Sequence, residues 1–186
     1  MRMKIVAILC ILIFLTGCKN SEVPLSNALA LRSKILSSNG CSFQSKVTAD
    51  YGEKIYTFSM NCETDKEGNL TFTVSKPDTI AGISGNITTN GGAITFDDQV
   101  LAFQTIADGQ ITPVTAPWIL IKTLRSGYLN GCTQLENGYQ ISIDDSYEED
   151  ALRLNIWVKD EIPTSGEIFW QGRRILTVTV ENFAFL

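Results

Sequence analysis

The sequence predicts a mainly antiparallel β domain with two helices, which is the α+β class. Across residues 41–185, apolar and polar residues alternate in short runs, as in strands with one buried face. Glycine-containing turns such as Asn90-Gly91-Gly92 and Asn137-Gly138 separate these runs at hairpin spacing. Two stretches, 25–37 and 116–126, instead carry apolar residues at the period of a helix.

The N-terminal 18 residues predict where the mature chain resides. Arg2 and Lys4 precede an apolar run, 5–15, which has the length of a signal-peptide core and is short for a membrane span. The ending Leu15-Thr16-Gly17-Cys18 resembles the lipobox of bacterial lipoproteins. That resemblance implies cleavage before Cys18, a diacylglycerol on its sulfur, and an N-acyl chain such as palmitate. The alternative is an ordinary secretory signal with an incidental cysteine.

These signals divide the chain into a signal peptide (1–17), a lipidated N-terminus with a short tether (18–24) and a single domain (25–186). Removing the signal peptide leaves 169 residues with a formal charge of −7. Such a charge argues against nucleic acid as a partner and against attraction to anionic lipids. We therefore expect attachment through the acyl chains, on the extracytoplasmic face of the cell membrane.

Composition argues against an enzyme and against a metal or cofactor. Histidine is absent, which removes the usual general base and the commonest metal ligand. The sequence has no nucleophile motif, no phosphate-binding loop and no Cys-x-x-Cys pair. The acidic turn at 144–150 lacks the spacing of a calcium loop, so we expect a solvated loop.

The first helix is predicted over 25–37, with Ser26 as its cap and Asn39-Gly40 as its end. Its apolar stripe is expected to pack on the sheet of the same domain. The alternative is that the helix lies on the bilayer, but its polar face is not notably basic. The stripe combines six positions: Leu25, Ala28, Leu29, Arg32, Ile35 and Leu36.

A long hairpin follows, in which 41–50 pairs with 53–62 around the two-residue loop Tyr51-Gly52. This register sorts apolar from polar side chains and places Cys41 opposite Cys62. Because the two would form a close, non-hydrogen-bonded pair, we predict a disulfide between them. The alternative is two buried thiols.

The remaining strands are expected in three groups. The first group begins with a strand at 70–75, which ends at Pro77. Weaker strands at 80–88, 93–96 and 99–105 complete this group, with Asp97-Asp98 as a turn. A hairpin at Asn137-Gly138 would place Cys132 opposite Ile143 and Gln134 opposite Ile141. Cys132 is then a buried free thiol or the source of an intermolecular disulfide. The chain closes with strands at 152–158, 167–170 and 175–185.

The second helix, Ala116 to Ser126, begins after Thr115 and ends at Gly127. Because it is a lone helix within a β region, we expect it to cover a sheet face or the mouth of a curved sheet. Its apolar side chains either complete the core or line a cavity for an apolar ligand. They are Trp118, Leu120, Ile121 and Leu124.

The order of these elements resembles the LolA/LolB-type fold, an incomplete and strongly curved antiparallel barrel with helices on its concave side. The resemblance rests on short motifs: Gly68 to Pro77, Ile94 to Asp98, Glu161-Ile162-Pro163, Gly172, and Thr177 to Phe183. Members of this fold include carriers of lipoprotein acyl chains, lipid-binding lipoproteins, and a spore-germination lipoprotein that supports a cell-wall amidase. Unlike the carriers, this chain has its own lipobox.

Two functions follow from the resemblance. The first is a membrane-anchored binder of an acyl chain or other apolar ligand in the hollow of the sheet. Its expected contact residues are Phe72, Phe96, Trp118, Leu120, Ile121 and Leu124. The second is a non-catalytic module that supports an envelope enzyme through a strand edge or an apolar patch, with Trp157 as a candidate contact.

Overall fold

The computed structural model describes residues 22–88, 95–96 and 111–186. The helices in these ranges are α1 (Glu22–Ser37) and α2 (Ala116–Ser126), and a 3-10 helix, Pro113–Thr115, leads into α2. The strands are β1 (Gly40–Asp50), β2 (Ile55–Asp65), β3 (Leu70–Lys76), β4 (Ser84–Ile87), β5 (Thr95–Phe96), β6 (Tyr128–Leu135), β7 (Gly138–Asp144), β8 (Arg153–Lys159), β9 (Ile162–Trp170) and β10 (Arg173–Phe185).

The ten strands form one antiparallel sheet in the order β5-β4-β3-β2-β1-β10-β9-β8-β7-β6. The chain starts in the middle with β1, runs outward to β5, crosses to the opposite edge at β6, and returns to β10 beside β1. Within the described residues, β5 and β6 are the two edges and do not pair with each other. The structure therefore confirms a mainly β fold with an open antiparallel sheet.

One face of the sheet carries the core because side chains alternate along each strand. On β3, β7 and β8 every second residue is buried and the residues between are more exposed. The inward residues of these strands are Leu70, Phe72, Val74, Tyr139, Ile141, Ile143, Leu154, Ile156 and Val158. Trp157 lies on the opposite face of β8 and is half-buried.

Helix α2 lies against the buried face of the sheet and packs on β1, β7, β8 and β10. Seven of its eleven residues are buried, so apolar side chains surround most of its circumference. Two glycines allow this close contact. A Cβ atom on Gly166 would lie 2.5 Å from Leu120 Cδ1, and one on Gly127 would lie 2.5 Å from Ile143 Cγ2.

Helix α1 is joined to the end of α2 through Arg32. Arg32 Nε donates a hydrogen bond to the Leu124 carbonyl at 2.8 Å, and Nη2 donates to the Gly127 carbonyl at 2.7 Å. The last carbonyls of a helix have no partner within the helix, and a cation there also interacts favourably with the helix dipole. Arg32 thus completes the C-terminus of α2.

The predicted apolar stripe of α1 divides into two sets. Its members Ala28 and Ile35 are buried together with Leu31, which was not part of the predicted stripe, and this burial confirms that the helix packs on its own domain. Leu25, Leu29 and Leu36 are instead between 42% and 49% exposed. The helix also begins at Glu22, three residues earlier than predicted.

The predicted register of the first hairpin is wrong by two residues. Asp50 pairs with Ile55, so the loop contains four residues, and Tyr51 N donates to Lys54 O at 2.9 Å. The physical reason lies in Asp50, whose Oδ1 accepts a hydrogen bond from Gly52 N at 2.7 Å. That side-chain turn, together with the positive φ of Gly52, favours a wider loop.

The corrected register separates the two cysteines that we expected to bond. Cys41 now faces Thr64, and Cys62 faces Phe43, so the thiols are diagonal neighbours on one face. The Cys41 sulfur lies 3.0 Å from Thr64 Oγ1. Both are free cysteines here, and the predicted disulfide is not formed. Burial raises the pKa of both thiols, with the Thr64 hydrogen bond partly offsetting this at Cys41.

The second hairpin is also shifted by two residues. Cys132 pairs with Ile141 instead of Ile143, because the turn is formed by residues 136–137. Gly138 comes after the turn with a φ of 113°, and a Cβ there would lie 2.0 Å from the Val158 carbonyl oxygen. A glycine is therefore required at the first position of β7.

Other predicted elements agree with the structure or lie outside its described part. Helix α2 has the predicted bounds, and the strands at 70–75 and 175–185 are confirmed with small extensions. The strand predicted at 152–158 is shifted by one residue, and the one predicted at 167–170 begins five residues earlier, at Ile162. The weak strand at 80–88 is shorter, since β4 spans only Ser84–Ile87. Cys18 and the strand expected at 99–105 lie outside the described residues.

Candidate functional site

The centre of the hollow is occupied by side chains of α2. Leu120 and Ile121 have no exposed surface and Leu124 is 2% exposed, so all three belong to the hydrophobic core. Phe72, from β3, is buried in the same core. Phe96 belongs to β5 by its backbone, and its side chain is outside the described part of the structure. Four of the six predicted contact residues are therefore core residues.

Trp118 occupies a different environment at the N-terminal end of α2. It is half-buried and packs against the core from outside. The Lys122 ammonium lies 5.2 Å from the centre of the indole ring, within the range of a cation–π contact. The indole Nε1 is buried and has no hydrogen-bond partner among the described residues. Trp118 thus combines apolar surface with an unused donor.

Three further polar side-chain atoms are buried with no partner in the described residues: the hydroxyls of Ser45 and Thr123, and the indole Nε1 of Trp170 on β9. Ser45 is 2% exposed on the inward face of β1, and Thr123 is 1% exposed on α2. Buried polar groups are nearly always hydrogen-bonded, so each such atom calls for a partner. Neither Ser45 nor Thr123 is among the predicted contact residues. The signal available in the sequence was a serine at an inward-facing position of β1.

A second hollow lies between α1 and the sheet near β7. Its volume is about 360 Å³, and it is lined by Asn27, Ala30, Leu31, Lys34, Tyr139 and Glu161. The Tyr139 hydroxyl donates to the Asn27 carbonyl at 3.1 Å, and Lys34 Nζ lies 3.2 Å from Glu161 Oε2. Burial, with smaller contributions from Cys132 and Glu161, raises the pKa of Tyr139 to about 12. The tyrosine therefore stays neutral and serves as a donor that fixes α1.

Cys132 holds the N-terminal end of the same helix. Its sulfur lies 3.0 Å from the Pro24 carbonyl oxygen, and burial raises the pKa of the thiol. The structure has it as a free, partly buried cysteine. The prediction of a free thiol is thus consistent with its surroundings, because the sulfur is engaged within the chain.

The edge strand β6 has an unusual composition for a free edge. Its sequence, YLNGCTQL, contains no charged residue and no proline. Natural edge strands are commonly protected by such residues, since the unpaired backbone groups otherwise pair with another chain. Within the described sheet, the outer side of β6 pairs with no strand. This edge is suited to strand addition.

The acidic turn after β7 makes contacts within the chain. Asp144 Oδ1 accepts a hydrogen bond from Arg153 Nε at 3.0 Å, and this bond lowers the pKa of Asp144. Asp145 Oδ1 accepts from Leu152 N at 2.8 Å. Within residues 22–88 and 111–186, no group of three or more acidic or cysteine side chains is placed to hold a metal ion. No helix in those ranges is long and apolar enough to cross a membrane.

Comparison with known proteins gives similarity in solved structures alone, since no family model and no curated protein matches the chain. An uncharacterized conserved protein from Thermus thermophilus is 14% identical, with a TM-score of 0.45 and 87% of each chain covered. A putative outer membrane lipoprotein-sorting protein domain from Vibrio parahaemolyticus is 8% identical, with a TM-score of 0.44, covering 89% of this chain and 93% of that chain.

A LolA superfamily protein from Nitrosomonas europaea is also similar to this chain. It is 8% identical, with a TM-score of 0.39, and the match covers 86% of this chain and 93% of that chain. We carry no residue role from these proteins to this one.

Proposed function

We propose that this chain is a membrane-anchored extracytoplasmic lipoprotein, without catalytic activity, that binds a lipid acyl chain or another apolar ligand on the concave side of its sheet. The lipobox cysteine Cys18 supplies the anchor. The apolar inward face of the sheet, which α2 covers at its centre, supplies the binding surface. Since Leu120, Ile121 and Leu124 fill the centre, the site is proposed at the Trp118 end of α2.

The observation that carries this proposal is the indole Nε1 of Trp118, which lies beside apolar surface and has no hydrogen-bond partner among the described residues. Leaving a buried donor unsatisfied costs about 1–3 kcal/mol, so a bound group that accepts this hydrogen bond would add stability. An acyl ester offers an apolar chain and a carbonyl acceptor together. Ligand sites of this kind are mostly apolar with few, well-placed polar groups.

Native mass spectrometry tests the proposal on an unlipidated Cys18→Ser chain purified without detergent. We expect an excess mass that is lost on denaturation and is identified as lipid. Trp118→Ala should lose this mass, whereas Trp157→Ala should keep it, because Trp157 is also half-buried but lies on the opposite face of the sheet. A bare mass that persists after incubation with membrane lipid extract contradicts ligand binding.

The second candidate is an interaction module for an envelope protein, and the uncharged edge strand β6 favours it. A photo-reactive residue at Thr133, which is exposed on this strand, would be cross-linked to a partner in cells. A Thr133→Lys change should prevent pairing with another strand. Cross-links from Thr71, which is exposed on β3 inside the sheet, serve as the control.

A further inference from the structure

Helix α1 has a second apolar side that the domain does not cover. The buried side consists of Ala28, Leu31 and Ile35 at 2–3% exposure. Three leucines, which we call the leucine flank, lie about 100° around the helix from that side and within about 40° of one another. They are Leu25, Leu29 and Leu36, at 42%, 49% and 46% exposure. The flank is a line of leucines along the helix, which Arg32 interrupts between Leu29 and Leu36.

Two charged residues fall close to the leucine flank by helical position: Glu22, the first residue of the helix, and Arg32. Arg32 falls on this side of the helix, but its guanidinium is engaged by the Leu124 and Gly127 carbonyls. Lys34 is on another side and is paired with Glu161 at 3.2 Å. From residue 23 to residue 31 the helix has no charged residue at all. Contact through Leu25, Leu29 and Leu36 would therefore be apolar, and the attraction that we propose comes from these leucines and not from headgroup charge.

The flank lies next to the proposed anchor. Three residues separate Cys18 from Glu22, the first residue of α1, and the four backbone steps span at most about 14 Å. Leu25 is in the first turn of the helix. A lipid-linked Cys18 would therefore hold this turn close to the bilayer surface, where half-exposed leucines enter the headgroup and acyl boundary favourably.

We propose that the leucine flank of α1 lies in the surface of the bilayer to which Cys18 is anchored, so that the anchor and the helix together set the orientation of the domain. This inference rests on the proposed lipid anchor. A protein partner fits the flank less well. Three half-exposed leucines in a single line offer only a fraction of the roughly 800 Å² that each partner buries in a stable protein interface.

This orientation also predicts which exposed apolar residues elsewhere on the domain stay in water. The β1–β2 hairpin turns at the end of β1 away from Gly40, the strand residue that follows α1 in the chain, and Ile55, the first residue of β2 at that turn, is 68% exposed. Ile55 should then stay in water, although it is more exposed than any leucine of the flank. Exposure alone would predict the opposite order of membrane contact, and this difference makes the proposal testable.

The experiment uses the full, lipidated chain reconstituted into phosphatidylcholine vesicles whose acyl chains carry bromine. An environment-sensitive fluorophore is attached at Leu29→Cys in a Cys132→Ser background, since Cys41 and Cys62 are buried. Matched labels are placed at Ala30→Cys, which is exposed on another side of α1 one residue further from the anchor, and at Ile55→Cys. Mass spectrometry of the Cys18 peptide and vesicle flotation report on the anchor separately.

We expect a blue shift and bromine quenching at position 29, and an aqueous spectrum without quenching at positions 30 and 55. Adding Leu25→Ser and Leu36→Ser should abolish the shift at position 29 and leave the thermal unfolding of the domain unchanged. If the chain is lipidated and floats with vesicles but position 29 remains aqueous, the inference is overturned and the anchor stands. If Cys18 carries no lipid and the chain does not float, both the proposed lipid anchor and the proposed membrane contact of the flank are contradicted.

Discussion

Replacing Arg32 with methionine removes the guanidinium that joins α1 to α2 and keeps the aliphatic part of the side chain. The two hydrogen bonds to the Leu124 and Gly127 carbonyls are 2.8 Å and 2.7 Å long. Hydrogen bonds from a charged donor contribute about 1.5–3 kcal/mol each. Because Arg32 is only half-buried, water can reach the released carbonyls, and the lower value applies. We expect the free energy of unfolding to fall by about 3 kcal/mol.

Urea denaturation followed by circular dichroism measures this change, and the melting temperature should fall by roughly 6–12 °C. Arg173→Met is the matched control. Arg173 also donates to a backbone carbonyl, that of Asp50, and to the Asp50 carboxylate at 3.0 Å, but both side chains are about half-exposed. Solvent screens such a pair, so the control should unfold like the unaltered chain. If both variants unfold alike, Arg32 does not hold the end of α2 and the reasoning is wrong.

Three other changes test the packing. Gly166→Ala would place a methyl group 2.5 Å from Leu120 Cδ1 and should lower the free energy of unfolding, measured by urea denaturation, by about 1–3 kcal/mol; an unchanged urea midpoint would argue against close packing of α2. Burial raises the pKa of the Cys41 and Cys62 thiols, so iodoacetamide at about pH 8 should modify them only on unfolding, as read by mass spectrometry. Rapid modification of the native chain would contradict this. Deleting residues 183–186, whose aromatic rings pack on the core, should cost about 3 kcal/mol or more in thermal unfolding, and an intact melting curve would show that they fray.

The elements predicted best are those whose signals are local. Helix α2 has the predicted bounds because Pro117 in the first turn and Gly127 at the end are signals that tertiary contacts do not override. The predicted register was wrong for both hairpins. The causes are again local, but each lies in a single residue at the turn. The Asp50 side chain widened one loop, and the positive φ of Gly138 displaced the other turn by one residue.

The candidate site was less predictable because it depends on how closely the helix approaches the sheet. The same side chains, Leu120 and Ile121, would line an open hollow or fill a closed one. What decides between these is the distance from α2 to the sheet, which Gly166 permits to be short. Helical periodicity could have separated the leucine flank from the buried side of α1. It could not have shown which of the two sides the sheet covers.

The contacts of α2 suggest how a ligand would reach the hollow. Its C-terminal end is held by Arg32 from α1, and Arg125 Nη2 donates to the Lys66 carbonyl at 2.9 Å. Its N-terminal end follows the 3-10 helix Pro113–Thr115, and the half-buried Trp118 lies within one turn of that end. Displacing the C-terminal end would break hydrogen bonds from two arginines, whereas turning the indole of Trp118 breaks none among the described residues. Ligand entry beside Trp118 therefore costs less free energy than entry at any point that requires α2 to leave α1.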